Sequence, residues 1–330
     1  MILPYALKLL ASCAAVFFLV HGFLGFAAWS AAPMAIRFAE RMPARQGARF
    51  LLLLRFFPLS FSVLVVAGIC VPSYLLFEPR VYAEPMNLFC SGAALCGFGI
   101  WGVSISRSIY ALVRSAEFAR AAELAGRATP LPGDPALTVV LCDGPPIFGL
   151  CGIFRARVIL SRDVRMALSP EEFEVALRHE NAHRISSDNL KRLLILLAPE
   201  ALPGLRCFAR LERAWTKLSE WSADDDATRQ DAQAPLVLAQ ALIQVARLGV
   251  GPRSRLSVSL VGGSNLEERV NRLLLMEPGN AIQSSLQVSL SWVGACAFGA
   301  LLLLAMLPII LKVWPTIFYA MHVVLERMVG

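Results

Sequence analysis

Four stretches of the chain are apolar over lengths that, as helices, cross a hydrocarbon core, which takes about 20 residues. They are Leu9–Ala31, Phe56–Phe77, Met86–Ser106 and Val288–Leu311. Between the third and fourth the pattern changes to short periodic segments. Residues 107–127 have helical spacing, and "ATPLPGDPA" (128–136) reads as a linker by its prolines and glycine. "LTVVLC" (137–142) and "RARVILS" (155–161) read as strands, with the turn-rich "DGPPIFGLCGIF" (143–154) between them. Helices follow at 170–186, 190–198, 204–229, 233–248 and 264–276.

Two of these helices carry explicit start signals. Ser169, Pro170 and Glu172 form a capping box with proline at the first helical position, and Ser264 with Glu267 repeats the serine–glutamate spacing. The apolar run "LLILLAPEALPGL" is too short to span and fits either a core helix or a segment at the membrane interface.

Composition agrees with a membrane protein: the 330 residues are 57% hydrophobic and 17% charged, with a net charge of +7. The charge sets the expected orientation. Arg37, Arg41, Arg45, Arg49 and Arg55 follow the first span against one acid, Glu40, and arginine-rich short loops stay cytoplasmic. The next loop, with Glu78, Arg80 and Glu84, has no such bias, whereas Arg107, Arg114, Arg120 and Arg127 follow the third span. The pattern therefore predicts an outside N-terminus, residues 107–287 in the cytoplasm, and an outside tail. The basic residues flank membrane and are matched to anionic lipid, and no basic stripe with interleaved aromatics points to nucleic acid. None of the eight cysteines has C-x-x-C spacing, and buried, reduced thiols are expected.

The chemistry lies in "RHENAHRISSDN" (178–189). His179 and His183, four apart on a helix, share one face and can aim two imidazole nitrogens at a single ion. Glu180 is placed to handle the proton of a water at that ion without being a ligand. A hydrolytic zinc takes three protein ligands and keeps an open position. In "LSEWSADDDAT", Glu220 is the candidate third ligand, and Asp224 lies one turn on. Asp224 and Asp188 are candidates to orient the ligand imidazoles, Asp188 also being a candidate N-cap, and Glu200 is another acid in reach. The bland alternatives are two imidazoles on a polar helix surface and a solvated acidic helix end, the latter fitting Asp225 and Asp226 better than Glu220.

The order of three spans, "GLCGIFRARVILS", "LSPEEFEVALRHENAHRISSDNL", "EWSAD", "LEERVNRLL" and a fourth span resembles the integral membrane zinc metallopeptidases of the BlaR/MecR type, the antirepressor signal transducers. The resemblance implies a mostly α membrane protein: a transmembrane region (1–106), a cytoplasmic α+β zincin-like (gluzincin) domain with a small sheet (107–287), a fourth span (288–311) and a short tail (312–330). It implies one Zn2+ held by His179, His183 and Glu220, Glu180 as general base and acid, and Asp224 as a supporting acid. It also implies that the strand Arg157, Val158, Ile159, Leu160 receives an extended peptide. The expected setting is a bacterial cytoplasmic membrane, and the expected substrate a cytosolic or membrane protein, a transcriptional repressor among the candidates. Partners implied are that substrate, lipid, and a separate membrane sensor or a second copy, with no nucleic acid.

Proteases of the CAAX-processing and HtpX type share H-E-x-x-H, the later E-x-x-A-D and the late helix, but differ in span placement. A receptor or scaffold keeping the metal for structure is the non-enzymatic alternative. Two departures stand out. Only residues 312–330 follow the fourth span, with no penicillin-binding sensor domain, so β-lactam sensing is not expected of this chain. Asn181 follows the glutamate where an apolar residue is usual.

Overall fold

The computed structural model describes residues 5–77, 86–131, 134–153, 156–202, 204–229, 231–249, 258–259, 266–276 and 319–324. The fourth apolar stretch, Val288–Leu311, and the Ser264 cap lie outside the described residues.

Among the described residues, three helices are long and apolar enough to cross a membrane: α1 (Tyr5–Glu40), the continuous stretch Ala44–Phe77, and α4 (Leu88–Ala125). The middle one is α2 (Ala44–Val65), a π-helical turn (Val66–Cys70) and α3 (Val71–Phe77). Pro72 explains the widened turn, because it has no N–H to donate and its ring crowds the carbonyl one turn back. α4 starts at Asn87, whose side chain accepts the Phe89 N–H at 3.1 Å.

α1 and α4 are longer than a membrane requires, with 36 and 38 residues. At 1.5 Å per residue these are about 54 and 57 Å, against a hydrocarbon core of about 30 Å. The excess carries the rest of the protein. α4 runs through residue 106 without a break, and its Phe118, Ala119 and Ala122 pack under the sheet against Cys142, Ile147, Cys151 and Ile159. α1 and α2 pack together and against the later helices α7 (Asp188–Leu197) and α8 (Ala209–Thr228), burying Ala28, Leu51, Ile195, Phe208 and Trp215 in one cluster. Gly97 allows a close approach of α4 to α1, since a Cβ there would collide with the Ala14 carbonyl.

The sheet is small and mixed. It is ordered β1 (Gly126–Leu131), β2 (Asp134–Cys142), β4 (Arg157–Ser161), β3 (Phe148–Cys151), β5 (Val258–Ser259). β2 and β4 are parallel and the other neighbours antiparallel. Its second face packs on α6 (Pro170–Ile185) and α9 (Ala234–Arg247), through Phe148, Leu150, Val158 and Leu160 against Val175, Ala176, Leu238 and Leu242. α5 (Arg162–Ala167) follows β4, and α10 (Leu266–Leu274) closes the described part of this unit.

Four expectations need correction. The "ATPLPGDPA" linker is part of the β1–β2 pair. Pro130 is tolerated because β1 is an edge strand, and the register shifts between Pro130 and Leu131. The turn-rich segment contains β3, which is buried on both faces and so shows no polar–apolar alternation. The proposed peptide-receiving strand, Arg157, Val158, Ile159 and Leu160, is not an edge: β2 and β3 occupy its two sides, leaving no backbone groups for a substrate. The arginine-rich loop after α1 is a turn at 41–43 that holds Arg41, the arginines on either side lying on helices, and Arg55 is buried rather than lipid-facing.

Candidate metal centre

α6 begins as the sequence predicts. Ser169 Oγ accepts the Glu172 N–H at 3.1 Å, and Glu172 returns the contact to the Ser169 N–H at 2.8 Å. This fixed start turns one face of α6 inward, and His179, Glu180 and His183 have no exposed surface.

α8 lies across that face and presents Glu220. The facing atoms form a triangle: His179 Nε2 to His183 Nε2 is 3.2 Å, and Glu220 Oε2 is 3.6 and 3.7 Å from the two nitrogens. Zinc bonds of about 2.0–2.1 Å in a tetrahedron separate neighbouring ligand atoms by roughly 3.3–3.4 Å. The triangle is therefore the right size for one ion, and the two-imidazole, one-carboxylate donor set suits zinc.

The far side of each imidazole is held by an acid. His183 Nδ1 donates to Asp188 Oδ2 at 2.7 Å, and His179 Nδ1 faces Asp224 Oδ1 at 3.0 Å. Both contacts turn Nε2 toward the centre. Asp188 reaches back five residues because Ser187 adopts left-handed backbone, φ 55°, so α6 stops and α7 starts at Asp188 itself. Ser219 Oγ and Lys191 Nζ also donate to Asp188, at 2.7 and 2.8 Å.

Arg269 of α10 closes the arrangement. It donates to both Asp224 oxygens at 2.9 and 2.7 Å, and its Nη1 lies 3.2 Å from Glu220 Oε2. Arg192 approaches the other Glu220 oxygen at 3.5 Å.

Burial would raise the carboxyl pKa values, but the surrounding cations win. Asp224, beside Arg269 and His179, is held down to about 2. Asp188, bonded to His183 and Lys191, is also held down to about 2. Glu220 is held well below the usual range by His183, His179 and Arg269. Burial would lower His183, yet Glu220 and Asp188 push it up to about 10, and His179 rises because of Asp224 and Glu220.

Glu180 differs from these acids. Burial pushes its pKa up, only partly offset by the two histidines. Its Oε2 accepts the Leu150 N–H of β3 at 2.9 Å, while its buried Oε1 has no hydrogen-bond partner among the described residues. A carboxylate with one oxygen anchored and one free, beside the ligand triangle, has capacity left for a proton.

His179, Glu180, His183, Glu220, Asp224 and Asp188 are thus brought together. Glu200 is not: it accepts the Phe208 N–H at 3.2 Å and faces Arg107 at 3.6 Å, beside Arg55. Asn181 points away and accepts from Arg184 Nε at 2.8 Å. Sequence reasoning missed Leu150, Arg192, Ser219 and Arg269, and also Asn189, whose Nδ2 donates to the Leu150 and Gly152 carbonyls at 3.3 and 2.8 Å. Arg269 carried a legible signal: it lies three after Leu266 and four before the buried Leu273, a charge on the apolar stripe of its helix.

No protein-family model matches the chain, and no curated protein matches it.

Proposed function

We propose that the chain is a membrane-embedded zinc endopeptidase that hydrolyses peptide bonds of a cytosolic or membrane protein. The observation that carries this reading is the closed triangle of His179, His183 and Glu220 with the half-anchored carboxylate of Glu180 beside it. A bound zinc ion would supply Lewis-acid chemistry, polarising the scissile carbonyl and acidifying water.

The remaining roles fall to the chain itself. Glu180 Oε1 takes a proton from the attacking water and returns it to the leaving amine; its raised pKa suits both halves of that task. Asp188 and Asp224 fix the imidazole tautomers, and Arg269 neutralises the acids left inside. Leu150 holds Glu180 in place. The strand adjoining Glu180 is β3, paired with β4 on one side and with the two-residue β5 on the other, so an extended substrate aligned there must displace the short Val258–Ser259 pairing. With the site buried, its enclosing segments must part before a polypeptide is admitted.

A structural zinc site is normally closed by four protein ligands. Among the described residues the cluster has three, and Glu180 is turned to β3, which favours the enzyme over a metal-stabilised scaffold. The reading includes a fourth span, a cytoplasmic peptidase unit and kinship with the BlaR/MecR-type antirepressors. Comparative proteomics of cells carrying the intact or Glu180→Gln protein tests it. A substrate whose fragments need Glu180 supports the proposal, and identical fragment sets oppose it.

A further inference from the structure

Between α2, the α6–α7 turn and α8 lies a cavity of about 250 Å³, separate from the metal ligands. Its lining includes the cations Arg45, Arg49 and Lys191 and the apolar side chains of Leu52, Ile185 and Trp215. The acid on its wall is Asp188, whose oxygens are already engaged by His183, Ser219 and Lys191. Arg45 makes a 3.6 Å contact with Asp226, and both side chains keep exposed surface, at 45% and 20%. Arg49 is exposed. The cavity therefore holds positive charge that its own acid does not neutralise, interleaved with apolar side chains suited to hydrocarbon.

Its position points to the source of a matching ligand. α1 and α2 are antiparallel across the turn at 41–43, so Arg45 and Arg49 stand level with the last turns of α1. There Phe38 is 53% exposed and its ring meets Phe50 of α2 edge-on at 5.6 Å. Exposed apolar side chains continue along α1 through Met34, Trp29 and Phe26. Exposed apolar surface on α1 thus reaches the level of Arg45 and Arg49, and at a headgroup surface cations attract anionic lipid by about 1 kcal/mol each.

We propose that this cavity is a binding site for the phosphate of an anionic membrane phospholipid, with Arg45 and Arg49 as its cations and Leu52, Ile185 and Trp215 against the glycerol and upper acyl chain. Lys191 belongs to both the cavity and the Asp188 carboxylate that orients His183. Lipid in the site thus competes for the cation that steadies Asp188, linking membrane composition to the metal centre. The binding claim does not depend on peptidase activity.

The test uses the full chain in detergent, with native mass spectrometry counting retained lipid when phosphatidylglycerol or phosphatidylcholine is added, and with inorganic phosphate titrated in a separate arm. The wild type retains phosphatidylglycerol in preference to phosphatidylcholine. The Arg45→Gln/Arg49→Gln variant loses that preference, on the order of thirtyfold for two surface cations. An unchanged circular-dichroism spectrum and cooperative thermal unfolding in detergent establish that the variant is folded. Equal retention of both lipids by the wild type, or undiminished phosphatidylglycerol on the folded variant, overturns the proposal. Occupancy by inorganic phosphate with no retained phosphatidylglycerol overturns the lipid source.

Discussion

Asp188 accepts the Nδ1–H of His183 at 2.7 Å across a reversal made by a single left-handed residue, Ser187. The end of one helix and the first residue of the next are thereby one functional unit. Replacing Asp188 by Asn keeps the shape but removes the charge that fixes the imidazole. Zinc affinity is expected to fall about 10–100-fold, as loss of such partners typically does. Competition with a calibrated chelator measures it, and unchanged affinity would show that Asp188 is only a helix cap.

Arg269 is buried between Asp224 and Glu220. Arg269→Met strands two carboxylates and is expected to destabilise the protein by roughly 3–5 kcal/mol. Pairing it with Asp224→Asn should recover part of that loss. Denaturant unfolding of the single and double variants checks this; equal stability of wild type and Arg269→Met would contradict it.

The same pair sets an acid limit. Asp224 is held down to about 2, against an ordinary value of 3.8. A depressed carboxylate stabilises the fold above its unfolded pKa, and that contribution is lost as pH falls through the folded value. Wild-type melting temperature should therefore fall between about pH 4 and pH 2, and Asp224→Asn should flatten that part of the profile.

Zinc and protons compete at the histidines. With His183 raised to about 10, its imidazole is protonated near neutrality in the metal-free protein, and His179 is raised as well by Asp224 and Glu220. The sign for the metal-free fold is opposite to that of Asp224: the contribution of raised histidines is complete below about pH 6.5 and declines as pH rises through their folded values. Zinc needs the neutral rings, so uptake at pH 7 should release protons, at least about one from His183, and tighten as pH rises. Calorimetry in two buffers of different ionisation enthalpy counts them, and no release would show that the rings are already neutral.

Arg55 joins the spanning helices to the ligand-bearing ones. Its Nε donates to Glu212 of α8 at 3.2 Å, its Nη2 donates to the Ala198 and Ile195 carbonyls at 2.9 and 3.3 Å, and its guanidinium lies over Phe208. Arg55→Met should cost roughly 3–5 kcal/mol by leaving buried acceptors unpaired. Arg55→Lys should recover only a fraction, because one ammonium cannot reproduce the fork. Thermal unfolding in detergent distinguishes the two.

Much of the centre was legible because its signals are local. The Ser169 cap fixed the phase of α6, the four-residue spacing put His179 and His183 on one face, and the same spacing paired Glu220 with Asp224 on α8. What was not legible depends on neighbours distant in sequence. β3 has apolar residues on both faces and a glycine within, so its pattern is indistinguishable from a turn. Arg55 looks like a membrane-flanking arginine until α8 supplies Glu212. β4 has the composition of a strand, but its interior position follows from the partners on either side, and that removes it as a peptide-binding edge.

The measurement closest to the central claim is zinc content together with peptide-bond cleavage for purified wild-type and Glu180→Gln protein in lipid. The glutamine keeps the contact to Leu150 but cannot take a proton. About one zinc per chain is expected in both, as for an intact three-ligand site, with cleavage only in the wild type. Full cleavage by the zinc-loaded variant, or no zinc in the wild type, would contradict it.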